Sequence, residues 1–141
     1  MIVKRVVESY GKTLKALVLF GSYVYNPLKS RDIDILLIVD KLVNAKEKLA
    51  IEVEVARNVK ALCRKPVDVI VFDIDMLKEN AEPGGIVSGL VIGYKILYDD
   101  IGMQKIVEGV ADKISREESY IIIKNNRRID LSAIAKHLKK R

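Results

Sequence analysis

Several residue types are scarce in this chain of 141 residues, and each scarcity excludes a class of protein. The chain has one cysteine and one histidine, so no intramolecular disulfide and no thiolate metal cluster can form. No segment reaches the roughly 18 uncharged apolar residues that a membrane-spanning helix needs. The N-terminal apolar stretches are short and interrupted by charges, which is unlike a secretory signal peptide. We therefore expect a cytoplasmic protein, with Cys63 in the core and His137 solvated.

Half of the residues are apolar, which is enough for one hydrophobic core in a single domain. The net charge of +6 comes from residues 119–141, which contain seven basic residues and one acidic residue. The other 118 residues hold 18 basic and 18 acidic side chains. We therefore expect a domain over residues 1–118 and a basic C-terminal tail over residues 119–141. The apolar spacing in the tail predicts a short amphipathic helix, through Leu131, Ile134, Ala135 and Leu138.

Short apolar runs alternate with helical patterns through the first 118 residues. The runs predict strands over 16–20, 33–39, 67–72 and 94–98. Helices are expected over 2–10, 74–80, 86–92 and 101–116. A further helix should begin after Asn44, an N-cap with Glu47 three residues on. Its predicted apolar stripe comprises Leu49, Val53, Ala56, Val59 and Cys63.

The order of these elements predicts the topology of the sheet. The strand–helix–strand unit from residue 33 to residue 72 should be a right-handed crossover, which makes its two strands parallel. The first and second strands are joined by a connection of about a dozen residues and should be antiparallel neighbours. The predicted fold class is α/β, a small mixed β-sheet with helices packed on it.

Acidic residues begin two of the predicted strands. Side chains alternate between faces along a strand, so Asp32 and Asp34 share one face. Asp68 begins the third strand on a face that also turns apolar farther along. If the starts of the two strands are aligned, the three carboxylates converge at one end of the sheet. Clustered carboxylates repel unless a cation neutralises them, and oxygen ligands without histidine or cysteine suit Mg²⁺ or Mn²⁺.

Gly21 and Ser22 follow the first predicted strand and should lie near the start of the second. Glycine lets the backbone approach a phosphate closely, and the serine hydroxyl can donate to a phosphate oxygen. A phosphate-binding turn beside a divalent-metal site is what nucleotidyl transfer requires. We therefore identify Asp32, Asp34 and Asp68 as candidate catalytic and metal-binding residues, and Gly21 and Ser22 as candidate nucleotide-binding residues.

These motifs resemble the DNA polymerase β nucleotidyltransferase superfamily. The resemblance rests on Leu19-Phe20-Gly21-Ser22, nine intervening residues, and Asp32-Ile33-Asp34-Ile35, with Asp68 matching the family's third acid. It covers roughly residues 16–72. It implies binding of a nucleoside triphosphate with Mg²⁺ and transfer of the nucleoside monophosphate. The short chain is similar to the minimal nucleotidyltransferases, many of which are antitoxins of HEPN-domain partners and some of which transfer AMP to a partner tyrosine.

The chain departs from the family pattern in the spacer. A second glycine is common there, where this chain has Asn26-Pro27, and the residue before the first aspartate is often serine. Here that residue is Arg31, with Ser30 displaced by one position. Two roles are open to Arg31: contact with a nucleotide phosphate, or an ion pair with Asp32 that weakens metal binding.

Three functions follow from these observations. The first is Mg²⁺-dependent transfer of a nucleoside monophosphate, AMP from ATP, to a hydroxyl group of a partner protein in a toxin–antitoxin system. The second is an interaction protein of the same fold that neutralises its partner without catalysis. The third is a nucleic-acid-binding module that acts through the basic tail.

Overall fold

A four-stranded mixed sheet forms the centre of the protein. The computed structural model describes residues 2–116, 121–124 and 127–139. The strands of the sheet are β1 (Leu14–Phe20), β2 (Ile33–Val39), β3 (Val67–Asp73) and β4 (Tyr94–Asp99). Their spatial order is β3-β2-β1-β4, with β2 and β3 parallel and both neighbours of β1 antiparallel to it. The predicted pairing of the first three strands is therefore confirmed.

Helices cover both faces of this sheet. They are α1 (Ile2–Tyr10), α2 (Ser22–Tyr25), α3 (Ala45–Cys63), α4 (Ile74–Asn80), α5 (Ile86–Gly89), α6 (Met103–Ser115) and α7 (Leu131–Lys139). Residues 11–13 and 90–92 form single 3₁₀ turns. One core cluster joins α1 and α3 to the sheet, and a second joins α4 to α7 to the opposite face. The predicted α/β class is confirmed, and none of the described helices is long and apolar enough to cross a membrane.

The start of α3 shows why this long helix begins where the sequence predicts. The Asn44 side chain accepts a hydrogen bond from the Glu47 amide at 2.9 Å. The Glu47 carboxylate in turn accepts from the Val43 amide, also at 2.9 Å. Two amide groups that the helix cannot satisfy internally are thereby bonded. The helix ends at Arg64, which adopts a left-handed conformation with φ of 56°.

The predicted apolar stripe of α3 was partly wrong. Leu49 is 60% exposed and Val53 is 48% exposed, whereas Val55 and Val59 are buried against the sheet. Ile51 and Cys63 pack against the same cluster, so the buried positions recur every four residues from 51 to 63. The helix carries apolar residues on its solvent face as well, and the 3.6-residue period therefore fits two different faces.

The C-terminal residues contain a β-hairpin as well as a helix. Strands β5 (Ile121–Lys124) and β6 (Arg127–Asp130) pair antiparallel, which the sequence analysis did not predict. The predicted tail helix is present as α7, and its Leu131 and Ala135 side chains are buried in the core beside α6. The Leu138 side chain lies outside the described residues. The domain boundary after residue 118 stays a prediction.

Candidate active site

The register of the strands places two of the predicted acidic residues side by side. Asp34 of β2 is the pairing partner of Asp68 of β3, and on its other side Asp34 is opposite Phe20 of β1. Phe20 is in turn paired with Tyr94 of β4. Neighbouring strands lie about 4.8 Å apart, so these residues form one row across the sheet. We call this row, which comprises Asp68, Asp34, Phe20 and Tyr94, the acidic row.

This row lies at the open end of one face of the sheet. Farther along the same face, Leu36 and Ile38 are fully buried under α4 to α7. Asp34 itself is only half-buried, and Asp68 is exposed. The apolar part of each strand therefore builds the core, and the acidic part reaches solvent beside it.

The third acidic residue, Asp32, is exposed and precedes β2. Within the described ranges, no three acidic, histidine or cysteine side chains form a metal-ligating cluster, so Asp32 does not complete one with Asp34 and Asp68. The donor set nevertheless fits a hard divalent cation. Two carboxylates in register on adjacent strands offer only oxygen ligands, as Mg²⁺ prefers. Asp32 lies one residue before β2, and its part as a third ligand stays a prediction.

Gly21 makes the turn that follows β1. Its φ of 78° and ψ of −160° lie in a region that is essentially restricted to glycine. Its amide donates to the Gly93 carbonyl at 3.2 Å, which anchors the turn to the residue before β4. Because Phe20 is opposite Asp34, the turn leaves the sheet directly beside the acidic row. The backbone conformation therefore explains the need for glycine in this Gly-Ser pair.

We expect Gly21→Ala to lower the free energy of unfolding by about 1–3 kcal/mol, because the added Cβ disfavours this backbone conformation. Urea denaturation measures the change. Gly89→Ala is the matched control, since Gly89 is helical with φ of −67° and an added Cβ meets no atom within 4 Å. That control should raise stability by up to about 1 kcal/mol. Equal losses in the two variants would contradict the role assigned to the Gly21 conformation.

Ser22 is connected to the start of β2 through a second serine. The Oγ atoms of Ser22 and Ser30 are 3.0 Å apart. Ser30 Oγ also donates to the Asp32 carbonyl oxygen at 2.6 Å. Ser30 is only 8% exposed, although the preceding residues 25–29 are all exposed. A buried hydroxyl thus joins the candidate phosphate-binding turn to the acidic strand.

Lys65 holds the same loop from the β3 side. Its Nζ atom donates to the carbonyl oxygens of Ser30 at 3.2 Å and Pro27 at 3.4 Å. The ammonium group also lies 5.4 Å from the centroid of the Tyr23 ring, within the range of a cation–π contact. Lys65 therefore holds this loop at two backbone carbonyl groups and at one aromatic ring.

Arg31 is exposed. Ion pairs among the described residues include Lys48–Glu52, Lys113–Glu82 and Arg116–Asp112. Arg31 and Asp32, both within the described part of the chain, form no ion pair with each other, so that alternative is wrong. A phosphate contact by Arg31 stays a prediction.

Tyr94 brings a phenol hydroxyl to the end of the row. Burial and, to a smaller extent, the Glu108 carboxylate on α6 raise the pKa of Tyr94 above its ordinary value. The ring therefore stays neutral at physiological pH.

Tyr94, Ser30 and Lys65 were not among the residues that the sequence singled out for the site. Only Ser30 had a signal, namely the family's serine before the first aspartate, displaced here by one residue.

Comparison with known proteins identifies the family. The family model described as polymerase beta, nucleotidyltransferase matches residues 3–87, which is more than half of the chain. The chain belongs to this nucleotidyltransferase family, and the predicted resemblance is confirmed. No curated protein sequence matches the chain significantly.

Solved structures with the same fold include toxin–antitoxin proteins. A mutant of the toxin–antitoxin complex MntA–HpeT contains a chain with 18% identity and a TM-score of 0.54, over 80% of this chain and 80% of that chain. A toxin–antitoxin structure with AMP-PNP gives 17% identity and a TM-score of 0.54, over 81% and 82% of the two chains. Spectinomycin adenyltransferase AAD(9) from Enterococcus faecialis, with ATP and spectinomycin, gives 15% identity and a TM-score of 0.52, over 81% of this chain and 62% of that chain.

Proposed function

We propose that the protein is a Mg²⁺-dependent nucleotidyltransferase that transfers AMP from ATP to a hydroxyl group of a partner protein. The observation that carries this proposal is the register of Asp34 with Asp68 directly beside the Gly21 turn. Family membership supports the reaction class, because nucleotidyl transfer needs oxygen ligands and a phosphate-binding turn within one small site.

Different residues of the chain would bind the divalent cations and the triphosphate. Asp32, Asp34 and Asp68 hold the divalent cations, and the Gly21 turn and the Ser22 hydroxyl bind the triphosphate. Bound Mg²⁺ supplies charge neutralisation of the triphosphate and of the departing pyrophosphate. Arg31 is exposed one residue before Asp32 and could reach a phosphate oxygen from the solvent side of the loop.

Transfer forms one bond and breaks another at the α-phosphorus. The acceptor oxygen attacks this atom, the bond between the α-phosphorus and the bridging oxygen breaks, and pyrophosphate leaves with that electron pair. Asp68 takes the proton of the acceptor hydroxyl, because it is the exposed member of the Asp34–Asp68 pair and faces an incoming substrate. A carboxylate can act as general base only within hydrogen-bond reach of the proton it removes.

A HEPN-type toxin is the proposed partner. Two of the similar structures are toxin–antitoxin assemblies, and one of them was obtained with AMP-PNP. A hydroxyl-bearing side chain of the partner, such as tyrosine, would be the acceptor.

Calorimetry with ATP and Mg²⁺ tests the first step of this proposal. We expect saturable binding of ATP that is abolished by a metal chelator, because carboxylates without a cation repel the triphosphate. Incubation with labelled ATP, Mg²⁺ and the HEPN-type protein should then place label on the partner. Absence of nucleotide binding in the presence of Mg²⁺ would overturn the proposal.

The same experiments separate catalysis from simple neutralisation. A protein that binds its partner tightly but transfers no label would be an interaction protein on a nucleotidyltransferase fold. That outcome would retain the partner and exclude the reaction.

Nucleic-acid binding through the basic tail is the remaining candidate, favoured only by the charge of residues 119–141. Most of its cationic side chains, which include Lys124, Arg127, Arg128, Lys139, Lys140 and Arg141, lie outside the described residues. Deleting the tail would also remove Leu131 and Ala135 from the core, so charge neutralisation at Lys140 and Arg141 is the cleaner variant. Steeply salt-dependent RNA or DNA binding that falls in this variant would favour this function.

A further inference from the structure

Ser30 is a buried polar residue of the loop between Ser22 and Asp32, and the reaction described above does not use it. A hydroxyl group has one hydrogen to donate and two lone pairs to accept with. Ser30 donates its hydrogen to the Asp32 carbonyl oxygen at 2.6 Å. In the 3.0 Å contact between the two serine hydroxyls, Ser22 must therefore be the donor and Ser30 the acceptor.

The hydrogen bonds consequently run in one direction, from Ser22 through Ser30 to Asp32. Hydrogen bonds in such a chain polarise one another and strengthen the whole. The backbone of Ser30 is fixed independently, because Lys65 Nζ donates to its carbonyl oxygen at 3.2 Å. Ser30 is therefore held in place by Lys65, and its hydroxyl group is hydrogen-bonded to both Ser22 and Asp32.

We propose that Ser30 is a positioning residue for nucleotide binding. It keeps the Ser22 hydroxyl aligned with the start of β2 while the site is free of nucleotide. When a triphosphate enters, the Ser22 hydrogen rotates from Ser30 to a phosphate oxygen, and Ser30 keeps its bond to Asp32. Ser30 itself does not contact the phosphate. This inference rests on the proposed function, because it assigns Ser30 a part in binding the same nucleotide.

The first test compares nucleotide affinity in single variants. Ser30→Ala should weaken binding of ATP with Mg²⁺ by about tenfold, because the Ser22 donor is no longer pre-positioned and its ordering opposes binding. Ser30→Thr keeps the hydroxyl and should bind within about threefold of the wild type. Calorimetry gives the dissociation constants.

Ser88 provides a matched control for the loss of a buried hydroxyl. It is 5% exposed, and its Oγ donates to the Gly85 carbonyl oxygen at 2.6 Å, the same length as the Ser30 bond. Ser88→Ala should bind the nucleotide like the wild type. Thermal unfolding of both alanine variants shows whether a difference in affinity accompanies a general loss of structure.

A double-mutant cycle tests whether Ser30 acts through Ser22. If it does, the effects of Ser22→Ala and Ser30→Ala will not add, and the double variant will bind about as weakly as Ser22→Ala alone. Additive effects, or equal affinity in Ser30→Ala and Ser88→Ala, would overturn the inference and leave the proposed function standing. A wild-type protein that binds no ATP with Mg²⁺ would overturn both.

Discussion

Asp34→Asn is expected to lower the rate of AMP transfer by a factor on the order of a thousand, because it removes a carboxylate charge from the centre of the acidic row. Asp34 is the residue of the row that is paired with both Asp68 and Phe20, so it lies between the other proposed metal ligand on β3 and the turn at Gly21 that is proposed to bind phosphate. Asparagine has nearly the same shape, and the strand should keep its register. The measurement is the rate of label transfer from ATP to the partner protein.

Asp40→Asn is the matched control for this variant. Asp40 is exposed at the opposite end of β2, so its substitution makes the same change in net charge without touching the acidic row. Its transfer rate should equal that of the wild type. Equal rates in Asp34→Asn and the wild type would show that Asp34 is not required and that the proposed reaction site is wrong.

Leu36→Ala is expected to lower the free energy of unfolding by about 3–4 kcal/mol, the usual cost of removing a fully buried leucine side chain. Leu36 is 0% exposed and follows Asp34 on the same face of β2, where it packs into the cluster formed with α4 to α7. Such a loss is a large share of the roughly 5–15 kcal/mol that stabilises a typical domain. Urea denaturation gives the change.

Leu28→Ala makes the identical chemical change on the surface. Leu28 is 97% exposed in the loop between Ser22 and Asp32, and its truncation should change stability by less than about 0.5 kcal/mol. A comparable loss in both variants would indicate that burial does not determine the cost at position 36.

The sheet could be predicted from the sequence because several features of neighbouring residues indicate the same strands and the same pairing. Alternation along β2 fixes the face of Asp34, and the length of the connection to β3 fixes the parallel pairing. The N-cap at Asn44 could likewise be predicted, since its side chain bonds the amide of Glu47 three residues away. The position of the Gly21-Ser22 turn beside β2 could be predicted as well, because β1 and β2 are antiparallel neighbours.

Other features could not be predicted from the sequence. They depend on contacts between residues that are far apart in the chain, or on which of two apolar helix faces is buried. Lys65 reaches Ser30 across 35 positions of sequence, and no local rule indicates that contact. Helix α3 has apolar residues on two faces, so the sequence did not determine which face is buried. Packing on the sheet buries the face with Val55 and Val59. The β5–β6 hairpin was not predicted, although the β-branched run Ile121-Ile122-Ile123 is typical of a strand.

The two halves of the site also differ in how far apart they lie along the chain, which has a consequence for folding. Phe20 and Asp34 are paired through an antiparallel connection of 13 intervening residues, whereas Asp34 and Asp68 are paired through a crossover of 33. Contacts that close short loops lose less chain entropy and tend to form sooner. The Gly21 turn, Asp32 and Asp34 should therefore assemble early as one antiparallel unit, and the proposed nucleotide site should be complete only after the slower docking of β3 with Asp68.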